Sequence, residues 1–594
     1  MTRCSEGDGT GPYGPAARTA GLEGLLGDPA DPANPLGTAT VLAADARGEL
    51  PPGGGPLLAA YGLHADLVPA ALGGRLTGLE TAARLLRAVF RRDLALGRAC
   101  GSAPFAAALP VWCHGTPRQR DRAARVLLGG GRPAVAFAAL AHGNAFSDGD
   151  LALLGGGRLL HGRSPVLANA PAAEVFVLVV RHADAPGGTH TALLLDREAL
   201  PPGAVRELPP HRAAGARRIP AGRLVLDRWP VPPGAVLGRP GHGIEVMLRA
   251  LQIGRPVILA AAVGCADTAL RSVLTAALAG HAGARPPASR TTRAAVASAF
   301  ADLLAGDCLA LAALRGLHLL PGASGPWSAA AGYLVPRLLR EGTGDLATVL
   351  GTGWLRDDER CGTYRKHLRD LAEVPPGHVG AAAALSALLP QLPVLARRSW
   401  TAGPGAPPEL FAPGAPLPPL DPARVTPAAG HDPLPAVLIR AADDPPAAGR
   451  HGRDLRTRVG VLAAEFARLR ERCRALPEGD PDALADPRGH DLGERYALLA
   501  AAASCLGVWQ EAARRGSGFL ADPAWLVVVL GRIALRLGVP VPDPGPEHLD
   551  ALLAEAAERC RQGRTLDLYG SGLAGGPEPA PAVPGGAARS GEGG

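Results

Sequence analysis

Three β-type runs crowd between residues 174 and 227 of a chain whose apolar pattern is otherwise helical, and that order limits the fold more than any single motif. Glu174-Val-Phe-Val-Leu-Val-Val180 is one continuous run, and Thr191-Ala-Leu-Leu-Leu195 is a second. The polar stretch between them holds Gly187-Gly188, so the pair is expected to be antiparallel. Arg223-Leu-Val-Leu-Asp227 is a third strand, which Val231-Pro-Pro-Gly must end. On either side the pattern is helical. Thr77 and Glu80 stand three apart before Leu79, Ala82, Leu86 and Val89, the spacing of a capping box that opens an amphipathic helix. Long Ala/Leu segments occupy Ile253–Leu278 and Thr292–Leu319, and Leu455, Leu462, Phe466, Leu469, Cys473 and Leu476 recur at helical spacing.

The 594 residues are therefore expected to divide into an irregular lead-in (1–55), a helical domain (56–132), a central β domain (133–242) and a helical bundle (243–400). A Pro-rich linker (401–446), a second helical unit (447–566) and a disordered tail (567–594) complete the chain. Gly (79) and Pro (60) are abundant enough to mark these seams, and with aromatics at only 4% the core must be filled by Leu, Val and Ala.

Several function classes are disfavoured. Basic and acidic residues number 61 and 54, Lys366 is the sole lysine, and no basic run stands beside stacking aromatics, so no nucleic-acid partner is expected. The best apolar stretch, 256–270, is short of the ~18 uncharged residues of a spanning helix and contains Asp267, so no membrane partner is expected either. Met1 to Gly14 lacks a signal-peptide pattern. The nine cysteines are odd in number and free of CxxC, which fits neither a disulfide framework nor a metal site. A cytoplasmic protein with reduced thiols is the expectation. Gly570-Ser-Gly-Leu-Ala-Gly575 matches GxGxxG, but Pro577 follows where the dinucleotide motif needs a helix. No Walker loop, GxSxG or HExxH is present, and His142 and His378 read as loop histidines.

Three further segments fall at the seams of that order. Leu67-Val-Pro-Ala-Ala-Leu-Gly-Gly74 precedes the first long helix, and Gly162-Arg-Ser-Pro-Val-Leu-Ala-Asn-Ala170 precedes the Val-rich strand. Val231-Pro-Pro-Gly-Ala-Val-Leu-Gly-Arg-Pro-Gly-His-Gly243 leads into a helix with Leu251-Gln-Ile-Gly-Arg255. Over about residues 55–400 the chain resembles the acyl-CoA dehydrogenase family, and Thr363–Leu392, with its Arg369-Asp370 pair, is similar to that family's last core helices. The resemblance implies a mainly α fold with a small central β domain: an α domain, a β-barrel-like domain and a four-helix bundle, here with a C-terminal helical extension. It also implies a flavoprotein of fatty acid metabolism, with FAD bound between the domains and across the interface of a homodimer or homotetramer. An acyl-CoA or other acyl thioester would be the substrate.

Such chemistry needs a carboxylate to remove the α-proton, donors for the thioester oxygen, and flavin N5 to accept the hydride. The family's flavin loop falls on Ala138 to Ala145, and the implied cofactor contacts are His142, Gly143, Asn144, Asn169, Arg255 and Gly351. Pro165 stands where an aromatic would cover the flavin, and Ala168 where a hydroxyl would meet it. The family's pyrophosphate arginine falls near Gly280-His281, with Arg285 displaced. The two usual base positions hold Pro376 and Gly254, which leaves Glu373, three residues early, as the candidate substitute base. The resemblance thus implies an acyl-CoA dehydrogenase-type, FAD-dependent oxidoreductase of the CH–CH group with little or no dehydrogenation. The alternatives are a non-catalytic binding or assembly member and a flavin monooxygenase on the same fold, which needs no α-proton base.

Overall fold

A computed structural model describes residues 14–135, 151–184, 189–208, 218–279, 289–374, 377–400, 405–443, 451–477, 487–516 and 518–576. Among the described residues nine strands lie between Arg132 and Leu237: β1 (Arg132–Val135), β2 (Ala152–Leu154), β3 (Leu159–Arg163), β4 (Leu167–Ala168), β5 (Ala173–His182), β6 (His190–Asp196), β7 (Val205–Glu207), β8 (Ala221–Pro230) and β9 (Val236–Leu237). Their order is β4-β8-β3-β2-β5-β6-β9, with β1 beside β5 and β7 beside β8. β5 and β6 pair antiparallel from Val175↔Asp196 to Arg181↔His190, whereas β1 and β2 lie parallel to β5, so the sheet is mixed. The third expected strand, within β8, pairs with β3, β4 and β7 rather than with β6.

The continuous apolar run of β5 has a direct physical cause. Val175 and Val177 belong to the large helical core, while Phe176, Leu178 and Val180 belong to a second core within the sheet. On β6, Ala192 and Leu194 face the first core and Leu193 and Leu195 the second. A strand buried on both faces has no polar face to alternate with.

The helix Leu79–Arg92 packs on the 37-residue helix Gly243–Ala279 through Gly264, where a Cβ would lie 2.5 Å from the Arg87 carbonyl oxygen. Arg87 Nε donates to the Ala260 carbonyl at 2.7 Å, and Thr268 Oγ1 to the Arg91 carbonyl at 2.9 Å. Pro256 sits inside the long helix and cannot bond the carbonyl of Gln252. Ser328 Oγ supplies that missing bond at 2.8 Å, from the helix Gly325–Asp345. Among the described residues four helices are long and apolar enough to cross a membrane by length and composition, contrary to the sequence expectation: Leu94–His114, Gly243–Ala277, Arg290–Leu319 and Gly380–Arg398. In the first three, 78–83% of the apolar window is buried inside the protein, so their apolar faces are already covered.

Four local expectations are corrected. The lead-in holds the helices Pro15–Leu26 and Thr38–Arg47. Gly78, not Thr77, caps Leu79–Arg92, because Glu80 is drawn away to Arg315, the Gly414 N–H (2.6 Å) and the Tyr569 hydroxyl (2.8 Å). The Pro-rich stretch packs rather than links: Leu410 and Phe411 are buried, and Ala436–Asp443 is helical because no proline falls between Pro435 and Pro445. The start of the expected disordered tail is also packed. Asp567 is buried against Arg87 (3.0 Å), and Leu566 and Leu568 on either side of it are buried in the main core, so an ion pair and apolar contact together seat the start of the tail.

The C-terminal helices Gly452–Arg474, Pro487–Arg515, Ala524–Leu537 and Pro546–Arg561 cover the bundle. Arg532 and Arg536 both engage the buried Asp302, and Arg337 meets Glu494 at 2.8 Å. These are inter-element ties of buried or half-buried charge, which a removable linker-borne module would not need.

Candidate active site

Residues far apart in sequence meet where the sheet faces the helices. The first long helix ends at Asp93, and the chain continues through a short π-helical turn, Arg98–Ser102. Such π turns are uncommon and recur at functional sites. Asn169 reaches this turn from the end of β4, its Nδ2 donating to the Ala99 carbonyl at 2.8 Å. Asn169 is buried in the left-handed region (φ 63°), its backbone N–H donates to the Pro220 carbonyl at 2.6 Å, and its Oδ1 has no hydrogen-bond partner among the described residues. On the other side, Arg98 Nη1 lies 3.8 Å from Glu373, just past the helix Glu359–Leu371. Burial pulls the Arg98 guanidinium below its usual range, against the opposing pull of Glu373 and Asp370.

Behind this junction is a buried ionic cluster. Asp93 caps the next helical turn by accepting from the Leu96 N–H at 2.7 Å, and it meets Arg218 at 2.6 Å and Lys366 at 3.0 Å. Lys366 also holds Asp370 at 2.7 Å, one helical turn along. Burial alone would raise the Asp93 carboxyl, but Lys366 and Arg218 outweigh it and hold it below the usual carboxylate range. This cluster fixes the relative position of the sheet loop at 218 and the helix that ends beside Glu373.

The remaining residues named from sequence are placed differently. Gly254 faces the neighbouring helix Ala103–His114, and a Cβ there would lie 2.8 Å from Leu109 Cδ1, so a carboxylate at this position would have to displace that side chain. Arg255 lies across Gly332, where a Cβ would be 2.4 Å from its Cδ. It has no ion pair among the described residues, and burial lowers its guanidinium to about 10. Gly351 sits on an exposed turn with φ 52°, in the same turn as exposed Trp354 and Leu355. His142, Gly143, Asn144, Gly280, His281, Arg285 and Pro376 lie outside the described residues. In the 162–170 segment, Ser164 Oγ donates to the Pro165 carbonyl at 2.8 Å and accepts from the Leu224 N–H at 2.9 Å, so that hydroxyl is used within the protein.

Sequence reasoning missed Arg98, Asp93 and Arg218. The i,i+4 spacing of Lys366 and Asp370 was a visible signal, but nothing local links either to Asp93.

No protein-family model and no curated protein sequence matches the chain. Solved structures do. Butyryl-CoA dehydrogenase from Megasphaera elsdenii aligns at 17% identity and a TM-score of 0.53 over 66% of this chain and 100% of its own. Glutaryl-coenzyme A dehydrogenase in its glutaryl-CoA complex aligns at 17% and 0.53 over 65% and 95%. An acyl-CoA dehydrogenase from Bacillus anthracis complexed with FAD aligns at 14% and 0.60 over 91% and 94%. The last span is too long to stop at the bundle, so the C-terminal helices have a counterpart there. With an α domain, a mixed central sheet, a helical bundle and helices covering that bundle, the chain has the acyl-CoA dehydrogenase fold.

Proposed function

We propose that this protein is an FAD-binding oxidoreductase of the acyl-CoA dehydrogenase type, acting on an acyl thioester, with Glu373 as the proton-abstracting carboxylate. The observation that carries the reading is the convergence of Asn169, the Arg98–Ser102 turn and Glu373 from three distant segments. The unpartnered, buried Oδ1 of Asn169 fits a flavin, whose ring presents an N–H in need of an acceptor. Asn169 would hold the ring, and Arg255, a half-buried cation without a counter-ion among the described residues, would take an anionic group of the cofactor or substrate. When bound, FAD supplies the hydride acceptor. The chain's own part is to remove the α-proton at Glu373 Oε2, with Arg98 countering the carboxylate charge.

Turnover is expected to be slow. Neither Pro376 nor Gly254 can take a proton, and general-base help is worth about 10²–10⁴-fold. Ser164 has no free hydroxyl to offer a flavin, so cofactor affinity is expected to be modest. The close approach of Gly254 to Leu109 favours, as a second reading, a non-catalytic member of the fold in which that base position is filled by packing. The absorbance of the purified protein near ~450 nm separates the two, since bound flavin is coloured and an empty scaffold is not. Acyl-CoA-dependent reduction of a dye acceptor then tests the thioester chemistry. A colourless protein that takes up no added FAD would overturn the first reading.

A further inference from the structure

A cavity whose lining includes neither Asn169 nor Glu373 lies between the N-terminal helices, the C-terminal half of the long helix, the helix Glu359–Leu371 and the packed tail. Its volume is about 290 Å³, near the lower end of the ~300–1,000 Å³ of small-molecule sites. Five cationic side chains line it, Arg91, Arg92, Arg271, Lys366 and Arg561, against two carboxylates, Glu23 and Asp28. Glu23 is already held by Arg91 and by Arg92 at 2.8 Å.

Two of these arginines are incompletely used. Arg92 bonds only through Nη2, to Glu23 and to the Gly27 carbonyl at 2.7 Å, and its Nε has no partner among the described residues. Arg271 likewise bonds only through Nη2, to Asp267 and the Arg564 carbonyl, with its Nε unpartnered. His367 lines the same cavity, is 1% exposed, and makes no hydrogen bond among the described residues. Two guanidinium groups with nitrogens that no group among the described residues takes, and one imidazole, are carried by three different helices, and five cations against two carboxylates suit a planar or tetrahedral oxyanion. Leu36, Val41 and Leu42 supply an apolar wall beside them. A cavity meant only for water would not set an aliphatic wall against three under-bonded nitrogen side chains, since ordered water needs two to four polar partners.

We propose that this cavity is a binding site for a small molecule with an oxyanion group, phosphate or carboxylate, at Arg92, Arg271 and His367 and a short apolar body against Leu42. The tail that lines it includes Gly575, whose φ of 77° lies in the left-handed region that favours glycine and whose backbone packs against the Asp28 carboxyl. The segment that only formally matched a dinucleotide motif thus acquires a physical role as one wall of a different site. Ligand binding there would tie the tail to the first helices without touching the proposed flavin seat.

The test is calorimetric titration of the full chain with inorganic phosphate and with hexanoate, at ionic strength fixed with sodium chloride. Saturable binding of either probe is expected, and which one binds identifies the oxyanion. Arg271→Gln should weaken it about tenfold or more, the loss of one charge-assisted bidentate partner. Thr363→Glu, a half-buried lining position on a helix surface, should weaken it at least as much by placing a carboxylate at the rim. Circular dichroism and FAD uptake should be unchanged in both variants. No saturable binding of either probe, or equal affinities in wild type and Thr363→Glu, would overturn the site.

Discussion

Glu373 and Arg98 face each other at 3.8 Å across the junction of the Arg98–Ser102 turn and the helix Glu359–Leu371, with both side chains only partly exposed. The carboxylate named from its position in sequence is thereby tied to the same turn that Asn169 holds through the Ala99 carbonyl. If Glu373 is the base, Glu373→Gln should remove nearly all acyl-CoA-dependent dye reduction, by about 10²-fold or more. FAD content should not change. Equal rates in wild type and Glu373→Gln would mean that the proton goes to another group.

Asn169 combines a left-handed backbone with a buried side-chain hydrogen bond, and two substitutions separate these contributions. Asn169→Gly keeps the backbone conformation available and loses the bond, at about 1–2 kcal/mol. Asn169→Ala adds the strain of a positive φ and should cost roughly 1 kcal/mol more. Chemical denaturation orders the three proteins, and the expected order is wild type, Gly, Ala.

Lys366 is held by Asp93 and Asp370, and burial leaves no water to replace it. Lys366→Met should destabilise by about 3–5 kcal/mol, because it strands two buried carboxylates with Arg218 alone. The pH dependence follows from the directions of the shifts. The Asp93 carboxyl is depressed in the folded state, so its contribution is present above the unfolded value of ~3.9 and is lost as pH falls through the folded one. For Lys366, burial lowers the ammonium but Asp370 and Asp93 win and raise it, so its contribution is full below ~10.4 and is lost only as pH rises through the higher folded value. Urea midpoints at pH 3, 7 and 11 should fall at both extremes, with a smaller drop at pH 3 in Lys366→Met.

His64, His318 and His367 are buried or nearly so, and burial is the main cause that lowers each imidazole below its ordinary value, in His367 well below. The unfolded chain takes up these protons near pH ~6.5 while the folded one does not, so stability should decline as pH falls from 7.5 to 5.5. His367→Gln should flatten part of that decline. An unchanged slope in the variant would remove His367 from the account.

Glu80 accepts from Arg315, the Gly414 N–H and the Tyr569 hydroxyl, so one carboxylate joins the first long helix, the bundle, the Pro-rich segment and the tail. Glu80→Ala leaves Arg315 buried with only carbonyl partners and should cost about 3–5 kcal/mol. Limited proteolysis should then cut the 567–576 segment sooner than in wild type.

The sequence by itself determined the order of helix, sheet and helix, the ends of the main strands, and the loss of a base at 254. Each of these is written in local periodicity, in proline stops or in a single residue type. It also marked β5 as a strand, because a short apolar run this rich in valine favours a strand over a helix. Only the tertiary structure decided that β8 joins β3, that Glu80 serves Arg315 rather than its own helix N-terminus, and that Arg98 meets Glu373. Partner choice among 61 basic and 54 acidic side chains is set by which of them are buried together. Burial of that kind is a property of packed elements, and no spacing along the chain encodes it. The same reason hid the order of the tail: Asp567 has only neutral local partners, Thr565 and the Tyr569 and Gly570 N–H groups, and Arg87 and Arg91 reach it only once the first long helix and the tail lie side by side.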